Sequence, residues 1–323
     1  MDGARRADFA AIDAIKAAAI VAVLFHHAGP WVFESQLTVF DRILRIRWVD
    51  FHVPAFVFAS GFLYRRDAPL PGREVLERLL RIVAPYLVAS LLGTATGLLR
   101  TRAPLWFDLA TGSAHGIYYY VFVMAWLIPS IWPLSRMPQR AVEALLAALL
   151  LYLALASWRP TLLPLTSMFW GMRNPLTLAP CFLAGWIARA HRPRLARIAR
   201  RRRGLVWAAA LLTIVGYVAI REPTRNVALA WLARFAYTLA VIGVIALASS
   251  GRALPRAVRE LGRATLTLYL HHILFYAAVG YLAAWAAWQR IPALVALGLV
   301  GGLGVASLGR ALLGRRARWI TGS

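Results

Sequence analysis

Apolar segments long enough to cross a lipid bilayer follow one another along most of the chain. The first extends from Phe9 to Ala28, and the later ones are separated by short stretches rich in arginine. About 20 residues of helix cross the roughly 30 Å hydrocarbon core of a bilayer, and a helix satisfies its own backbone hydrogen bonds there. The pattern therefore predicts an all-α fold, a polytopic helix bundle that is integral to a membrane.

Ten apolar runs have roughly the length of a membrane span, which predicts about ten transmembrane helices. The runs are residues 9–28, 48–64, 82–99, 116–134, 141–157, 174–190, 204–220, 227–249, 264–285 and 292–313. Because the connections between them are short, residues 1–323 are predicted to form a single transmembrane domain. The composition agrees, since 60% of the residues are hydrophobic, 15% are charged and the mean hydropathy is +0.62.

The net charge of +24 is spread along the chain in the way typical of a membrane protein. With the N-terminus inside, the predicted inner segments hold more than twice as many arginines as the outer ones. This excess follows the positive-inside rule and predicts that the N- and C-termini are both cytoplasmic. The densest basic patch, residues 192–204, is predicted to be an inner loop against anionic lipid headgroups. We therefore expect the basic side chains to contact the lipid bilayer, which is the predicted partner. No nucleic-acid partner is expected.

Two ionisable side chains inside the first apolar run, Lys16 and His27, indicate a functional site. Polar groups are costly in lipid, so an intramembrane lysine or histidine is a functional candidate by default. At about 100° per residue, eleven positions bring a helix back to within about 20° of its starting face, so the two side chains share one stripe about 16 Å long. Asp13 lies three residues before Lys16, where the two charges can pair. His26 is turned about 100° away, so the stripe selects His27.

Depth along the predicted spans sorts the other polar side chains into two levels. Span 1 enters from the cytoplasm, which places Lys16 near the inner face and His27 near the outer face. The outer level is predicted to contain His27, Asp50, His52 and Arg234. The inner level is predicted to contain Asp13, Lys16, Tyr269 and His271, with His272 beside it. Polar groups at both levels are typical of a pathway across the membrane.

Each of these residues also has a purely structural interpretation. A histidine such as His52 can hydrogen-bond to a neighbouring helix. Arg234 and Lys16 can extend to the headgroups, and Arg78 and Arg81 can be simple positive-inside anchors. Taken as a set, the residues favour a functional site.

No metal cofactor and no disulfide are expected. Cys181 is the single cysteine, so an intrachain disulfide cannot form. A metal site needs three or four converging ligands. The pairs His26–His27 and His271–His272 are adjacent in sequence, so their members point in different directions on a helix.

Four blocks of sequence resemble the membrane-bound acyltransferase family 3, which includes bacterial O-acetyltransferases of surface polysaccharides. They are IDAIKAAAIVAVLFHH with Lys16 and His27, FHVPAFVFASGFLYRR with His52, Pro54 and Ser60–Phe62, RLLRIVAPY with Arg78 and Arg81, and LTLYLHHILF with Tyr269 and His271 or His272. The chain departs from the family pattern in three ways. Lys16 stands where arginine is commoner, and Ala55 and Val57 depart from the pattern of the second block. The doublet His26–His27 leaves open which of the two histidines is catalytic.

The resemblance implies a membrane O-acyltransferase in the inner membrane of a bacterium. The implied donor is cytosolic acetyl-CoA, and the implied acceptor is a hydroxyl group of a cell-surface or exported carbohydrate or glycolipid, chosen by the bundle alone. His27 and Lys16 are the implied catalytic residues, and Arg78 and Arg81 are expected to bind the CoA phosphates. The remaining residues of the two levels are expected to bind the substrates: Asp13, Asp50, His52, Arg234, Tyr269 and His271.

Two questions stay open at this point. His27 can remove a proton from the acceptor hydroxyl as a general base, or it can carry the acyl group as an acyl-imidazole. A transporter or flippase of an anionic or sugar-bearing lipid would use a similar polar stripe, and an inactive membrane scaffold or sensor is a third class. The transporter would need no acyl-CoA, and the scaffold would not be stabilised by CoA.

Overall fold

The computed structural model is helical throughout the part of the chain that it describes. The described residues are 2–32, 48–65, 67–97, 104–112, 118–158, 174–219, 227–250, 253–276, 282, 285 and 287–322. The helices are α1 (Asp2–Val32), α2 (His52–Tyr64), α3 (Gly72–Ala95), α4 (Leu105–Thr111), α5 (Tyr119–Leu127), α6 (Ile131–Leu134), α7 (Gln139–Trp158), α8 (Pro175–Ala190), α9 (Arg192–Arg201), α10 (Arg203–Ala219), α11 (Val227–Ser249), α12 (Arg256–Arg263), α13 (Thr265–Tyr276), α14 (Ala287–Leu313) and α15 (Ala317–Ile320). No strand occurs within these ranges, so the all-α prediction is confirmed for them.

Four helices are long and apolar enough to cross a membrane on their own, judged by length and composition. Their apolar parts are Ala10–Gly29, Gln139–Ala156, Leu229–Ser249 and Gln289–Leu313. The pair α9–α10 passes the same test together but is bent by 96°, and α2 and Tyr119–Leu134 are shorter apolar segments. These helices agree with a helical membrane protein, while the ten spans and the cytoplasmic termini stay predictions.

Several boundaries differ from the predicted ones. Residues 192–204 were predicted to be a loop, but most of them form the basic helix α9, because Pro193 lies in its first turn, where proline is well tolerated. α3 begins at Gly72 rather than near residue 82, and the helical pairs Arg73–Glu77 and Glu74–Arg78 stabilise its early turns.

Two further predicted spans are shorter or broken. The span predicted at 116–134 breaks between α5 and α6, next to Pro129, since proline cannot donate the backbone hydrogen bond of a continuous helix. α13 ends at Tyr276, and most of the rest of the span predicted at 264–285 lies outside the described residues.

α1 is the central helix of the bundle. It packs against α2, α11, α12, α13 and α14. Its residues Ala19, Ile20, Val23 and Leu24 are fully buried. The side chains of Asp13 and Lys16 on this helix are therefore largely shielded by the bundle.

Glycines bring α2 and α8 into backbone contact. A Cβ atom on Gly61 would lie 1.9 Å from Phe182 O, and one on Gly185 would lie 2.0 Å from Phe58 O. Such distances exclude any side chain at either position, as is common where helices approach closely in membranes. This contact fixes α2, and with it Ser60, relative to α8.

Candidate functional site

Lys16 and Asp13 form an ion pair on α1. The Lys16 Nζ atom lies 3.9 Å from Asp13 Oδ1, and each side chain is only about one-fifth exposed. The predicted pairing three residues apart is therefore confirmed. α12 packs directly on this turn of α1, because Gly262 leaves no side chain between the helices.

An open cavity of about 70 Å³ lies beside this ion pair. Its polar lining is Lys16, Ser60, Tyr120, Thr265 and Tyr269, and its apolar lining is Phe56, Ala59, Leu63 and Leu266. The Ser60 hydroxyl donates to Phe56 O at 2.9 Å and lies 3.5 Å from Tyr120 Oη. Lys16 and Tyr269, which were predicted to share a level, therefore share a cavity. An ammonium group and four hydroxyl groups face one space.

A row of five rings continues from this cavity to the start of α2. Ring centroids are 6.4 Å apart for Tyr269 and His272, 5.3 Å for His272 and His27, 5.0 Å for His27 and His26, and 5.0 Å for His26 and His52. These five residues are called the ring row below. The ring row joins the two predicted levels, since His272 was expected near Lys16 and instead lies beside His27.

The orientation of His272 is fixed by its own helix. The ring is fully buried, and its Nδ1 atom lies 2.9 Å from Tyr269 O and 3.1 Å from Leu268 O. Carbonyl oxygens only accept hydrogen bonds, so Nδ1 carries the hydrogen and Nε2 is the acceptor in the neutral ring. Tyr276 packs edge-on against the same ring at 5.3 Å and donates to Leu24 O at 2.6 Å.

His271 has a different environment from its neighbour. Its Nδ1 atom lies 2.9 Å from Thr267 O, one helical turn earlier. His271 was predicted to bind substrate, but the structure brings His272 rather than His271 next to His27. The fourth sequence block had left the choice between His271 and His272 open.

Asp50 and Arg234 form the second predicted cluster near the start of α2. Arg234 Nη2 lies 3.0 Å from Asp50 Oδ1, and Arg234 Nε donates to Asp50 O at 2.9 Å. The Tyr217 hydroxyl donates to Asp50 Oδ2 at 2.7 Å. Arg234 is therefore bound to a carboxylate inside the bundle rather than extended to the headgroups. The network ties α10 and α11 to the turn that precedes α2.

His52 lies between this network and the ring row. Its Nδ1 atom contacts Val49 O in the turn before α2, and its ring faces His26. The His26 Nδ1 atom is buried and has no hydrogen-bond partner among the described residues. His52 was predicted at the outer level with His27, and in the structure its ring lies 5.0 Å from that of His26, the residue before His27.

Arg78 and Arg81 face different neighbours although both lie on α3. Arg78 is buried, pairs with Glu74 and lies over the Tyr64 ring at 5.0 Å. Arg81 is about half exposed, lies 3.7 Å from Glu77 and 5.9 Å from the centre of the Trp319 ring. The accessible guanidinium group of the two is therefore that of Arg81.

A family model described as an acyltransferase domain, acyltransferase 3, matches residues 9–309. The chain belongs to the acyltransferase 3 family. Proteins of this family are membrane proteins, and the family supports acyltransferase activity. No curated protein and no solved structure matches the chain.

The matched range of the acyltransferase includes the cavity, the ring row and the Asp50–Arg234 pair. Acyl transfer needs a group that takes a proton from the nucleophile and donors that hold the acyl carbonyl, both shielded from water. The ring row supplies two buried imidazoles, His52 and His272, and two partly buried ones, His26 and His27. The cavity supplies an ammonium group and hydroxyl donors. Ser60, Tyr120 and Thr265 were not predicted as site residues, because only the folded bundle shows that they face Lys16.

Proposed function

We propose that the protein is a membrane O-acyltransferase that moves an acetyl group from cytosolic acetyl-CoA to a hydroxyl group of a cell-surface or exported carbohydrate. The observation that supports this most directly is the continuous polar path from the Lys16 cavity through Tyr269 and His272 to His27. Buried polar groups in a membrane bundle are costly and usually functional. A path of this kind links a donor on one side to an acceptor on the other, in the inner membrane of a bacterium.

The donor enters from the side of Arg78 and Arg81 in this proposal. Guanidinium groups bind phosphates through paired hydrogen bonds, and Arg81 has accessible N–H groups for the phosphates of CoA. Arg78 lies against Tyr64, next to Leu63 of the cavity wall. The extended pantetheine arm then occupies the cavity, where Lys16, Ser60 and Tyr120 offer hydrogen bonds to its amide groups. Its length lets the thioester reach His27, about 16 Å beyond Lys16 along α1.

The chemical step takes place at His27. The acceptor hydroxyl oxygen attacks the thioester carbonyl carbon while the His27 imidazole takes the hydroxyl proton. The C–S bond breaks, the CoA thiolate leaves, and the proton held by the imidazole passes to the thiolate. The products are the acetyl ester and free CoA, and His27 returns to its neutral form.

Inside-out membrane vesicles that contain the protein and its native acceptors, supplied with radiolabelled acetyl-CoA, test this proposal. Label is expected in envelope carbohydrate, and mass spectrometry is expected to find the acetyl increment only in cells that carry the gene. His27→Ala is expected to lower incorporation at least about 100-fold. His191→Ala, which removes a histidine paired with Glu143 away from the ring row, is the control and is expected to keep full activity.

Two outcomes contradict the proposal. Vesicles that incorporate no label, although the protein is folded, exclude acetyl-CoA as the donor. If His27→Ala keeps full activity and His26→Ala loses it, His26 rather than His27 is the catalytic histidine. A transporter of sugar-bearing lipid would acetylate nothing and would need no acyl-CoA.

A further inference from the structure

We propose that Trp319 of α15 binds the adenine ring of the acyl donor, and that Arg81 and Arg318 beside it bind the phosphates of the same nucleotide. This inference rests on the proposed function, because it names the part of acetyl-CoA that α15 recognises. No residue of α15 was predicted as a site residue, and the helix has only four residues, Ala317–Ile320.

Two guanidinium groups lie next to the Trp319 indole. The Arg81 Cζ atom is 5.9 Å from the centre of the ring, and the Arg318 Cζ atom is 5.2 Å from it. Arg81 belongs to α3 and Arg318 to α15, and these two helices pack against each other. Both arginine residues are exposed. An aromatic ring and two accessible cations therefore share one surface.

Neither guanidinium group lies as close to this indole as in a second tryptophan–arginine pair of the same protein. The Arg136 Cζ atom is 4.1 Å from the centre of the Trp132 ring, so that guanidinium group covers the ring. The two cations at Trp319 are farther away, at 5.2 and 5.9 Å, and the tryptophan itself is partly exposed. The Trp319 indole therefore keeps surface on which another flat ring can stack.

The chemistry of this surface matches the nucleotide end of CoA. That end is an adenine ring joined through ribose to a diphosphate and a 3′-phosphate. Bases stack on aromatic side chains, and arginine binds phosphate through paired N–H groups. Trp319 with Arg81 and Arg318 thus offers a partner to the base and to its phosphates. A lipid headgroup would use the two arginines but has no flat ring for the indole.

α15 is close to the cavity beside Lys16. A Cβ atom on Gly322 would lie 3.0 Å from Leu266 Cγ, and Leu266 lines that cavity. Gly322 follows Trp319 by three residues, a distance of at most about 11 Å. A nucleotide bound at Trp319 therefore lies near enough to the cavity for the pantetheine arm to enter it.

Binding of CoA and of 4′-phosphopantetheine to the protein in lipid nanodiscs tests this inference. 4′-Phosphopantetheine keeps the arm and one phosphate but lacks the adenosine part. Trp319→Leu is expected to weaken CoA binding at least about fivefold, as the loss of one stacked base does, and to change 4′-phosphopantetheine binding less than about twofold. Trp319→Phe keeps an aromatic ring and is expected to bind CoA within about threefold of the unaltered protein.

Trp132→Leu is the matched control. Trp132 also has a guanidinium group on its ring, but it lies beside Gly72 at the start of α3. That position is about 14 Å along the helix from Arg81. Its loss is expected to leave CoA binding unchanged.

The inference is overturned by any of several results. Equal weakening of CoA and 4′-phosphopantetheine in Trp319→Leu would show that the tryptophan only holds α15 against α3. Unchanged CoA binding in Trp319→Leu, the same loss in Trp319→Phe, or the same loss in Trp132→Leu would exclude a base stacked at Trp319.

The vesicle assay separates this inference from the proposed function. If the vesicles transfer no acetyl group although CoA binding depends on Trp319, the proposed function fails and the nucleotide site stands. If the vesicles transfer acetyl and CoA binding does not depend on Trp319, the nucleotide site fails and the proposed function stands.

Discussion

Gly262 lies directly against the backbone of Asp13. A Cβ atom at Gly262 would lie 2.6 Å from Asp13 O and 2.9 Å from both its Cα and Cβ atoms. α12 and α1 therefore meet with no side chain between them, one turn before Lys16. Because α13 follows α12 directly, this contact sets the height of Lys16 relative to Tyr269 across the cavity.

Gly262→Ala is expected to lower the free energy of unfolding by about 1–3 kcal/mol, because the new methyl group overlaps the Asp13 backbone. It is also expected to reduce acetyl transfer, since α1 must shift by several tenths of an ångström. The unfolding midpoint in detergent and the rate in vesicles are the two measurements. Gly216→Ala in α10 is the control, because a Cβ atom there meets nothing within 4 Å. Equal midpoints for the two variants would contradict the packing argument.

The Asp50–Arg234 pair is expected to stabilise the start of α2 through burial. Arg234→Ala leaves the Asp50 carboxylate with the Tyr217 hydroxyl but without its cation, which costs about 3 kcal/mol for a largely buried pair. Glu260→Gln breaks the more exposed pair with Arg263 and is expected to cost less than about 1 kcal/mol. Unfolding midpoints of both variants check this difference. A loss of the same size in both would mean that the Asp50–Arg234 pair is no better shielded than a surface pair.

Filling the cavity beside Lys16 is expected to block the donor without unfolding the protein. Ser60→Leu places three additional carbon atoms among Phe56, Ala59 and Leu63, in the cavity of about 70 Å³. The KM for acetyl-CoA is expected to rise at least about tenfold, because the pantetheine arm and the leucine compete for one volume. Vesicle kinetics measure this directly.

A second cavity supplies the control for the effect of added volume. It holds about 230 Å³ between α3, α4 and α5 and is lined by Tyr86, Leu109, Phe122 and Ala125, among others. Ala125→Leu adds a similar volume there and is expected to leave the KM for acetyl-CoA unchanged. If Ala125→Leu raises the KM as much as Ser60→Leu does, the first cavity is not the specific donor site.

Helical periodicity was enough to predict contacts within one helix. The Asp13–Lys16 pair follows from a spacing of three residues, and it is present in the structure. Depth along the predicted spans was enough to place Asp50 and Arg234 at the same outer level of the membrane. In the structure the two side chains form an ion pair. These predictions needed only the rise and rotation of an α-helix.

Contacts between helices could not be predicted in the same way. The choice of His272 over His271 depends on how α13 is rotated toward α1, and rotation is set by packing such as that of Tyr276 on Leu24. The break next to Pro129 and the helix formed by the basic residues after His191 depend on local backbone preferences that hydropathy does not report. Ser60 joins the site because glycines let α2 pack tightly on α8, and Tyr120 approaches it from α5.

Arg81 and Arg73 offer a test of whether phosphate binding is specific to one position on α3. Both guanidinium groups approach Glu77, at 3.7 Å and 3.4 Å, but Arg73 is 90% exposed and Arg81 is 46% exposed. Arg81→Ala is expected to weaken acetyl-CoA binding about tenfold, as the loss of a charge-assisted hydrogen bond does. Arg73→Ala removes the same charge from the same acidic partner and is expected to leave the affinity unchanged. Titration of acetyl-CoA into the purified protein in nanodiscs measures both values. Binding could instead be weakened equally in the two variants, with the difference from the unaltered protein disappearing at high salt. That result would show that the anionic donor is attracted to a basic surface in general rather than bound through a phosphate at Arg81.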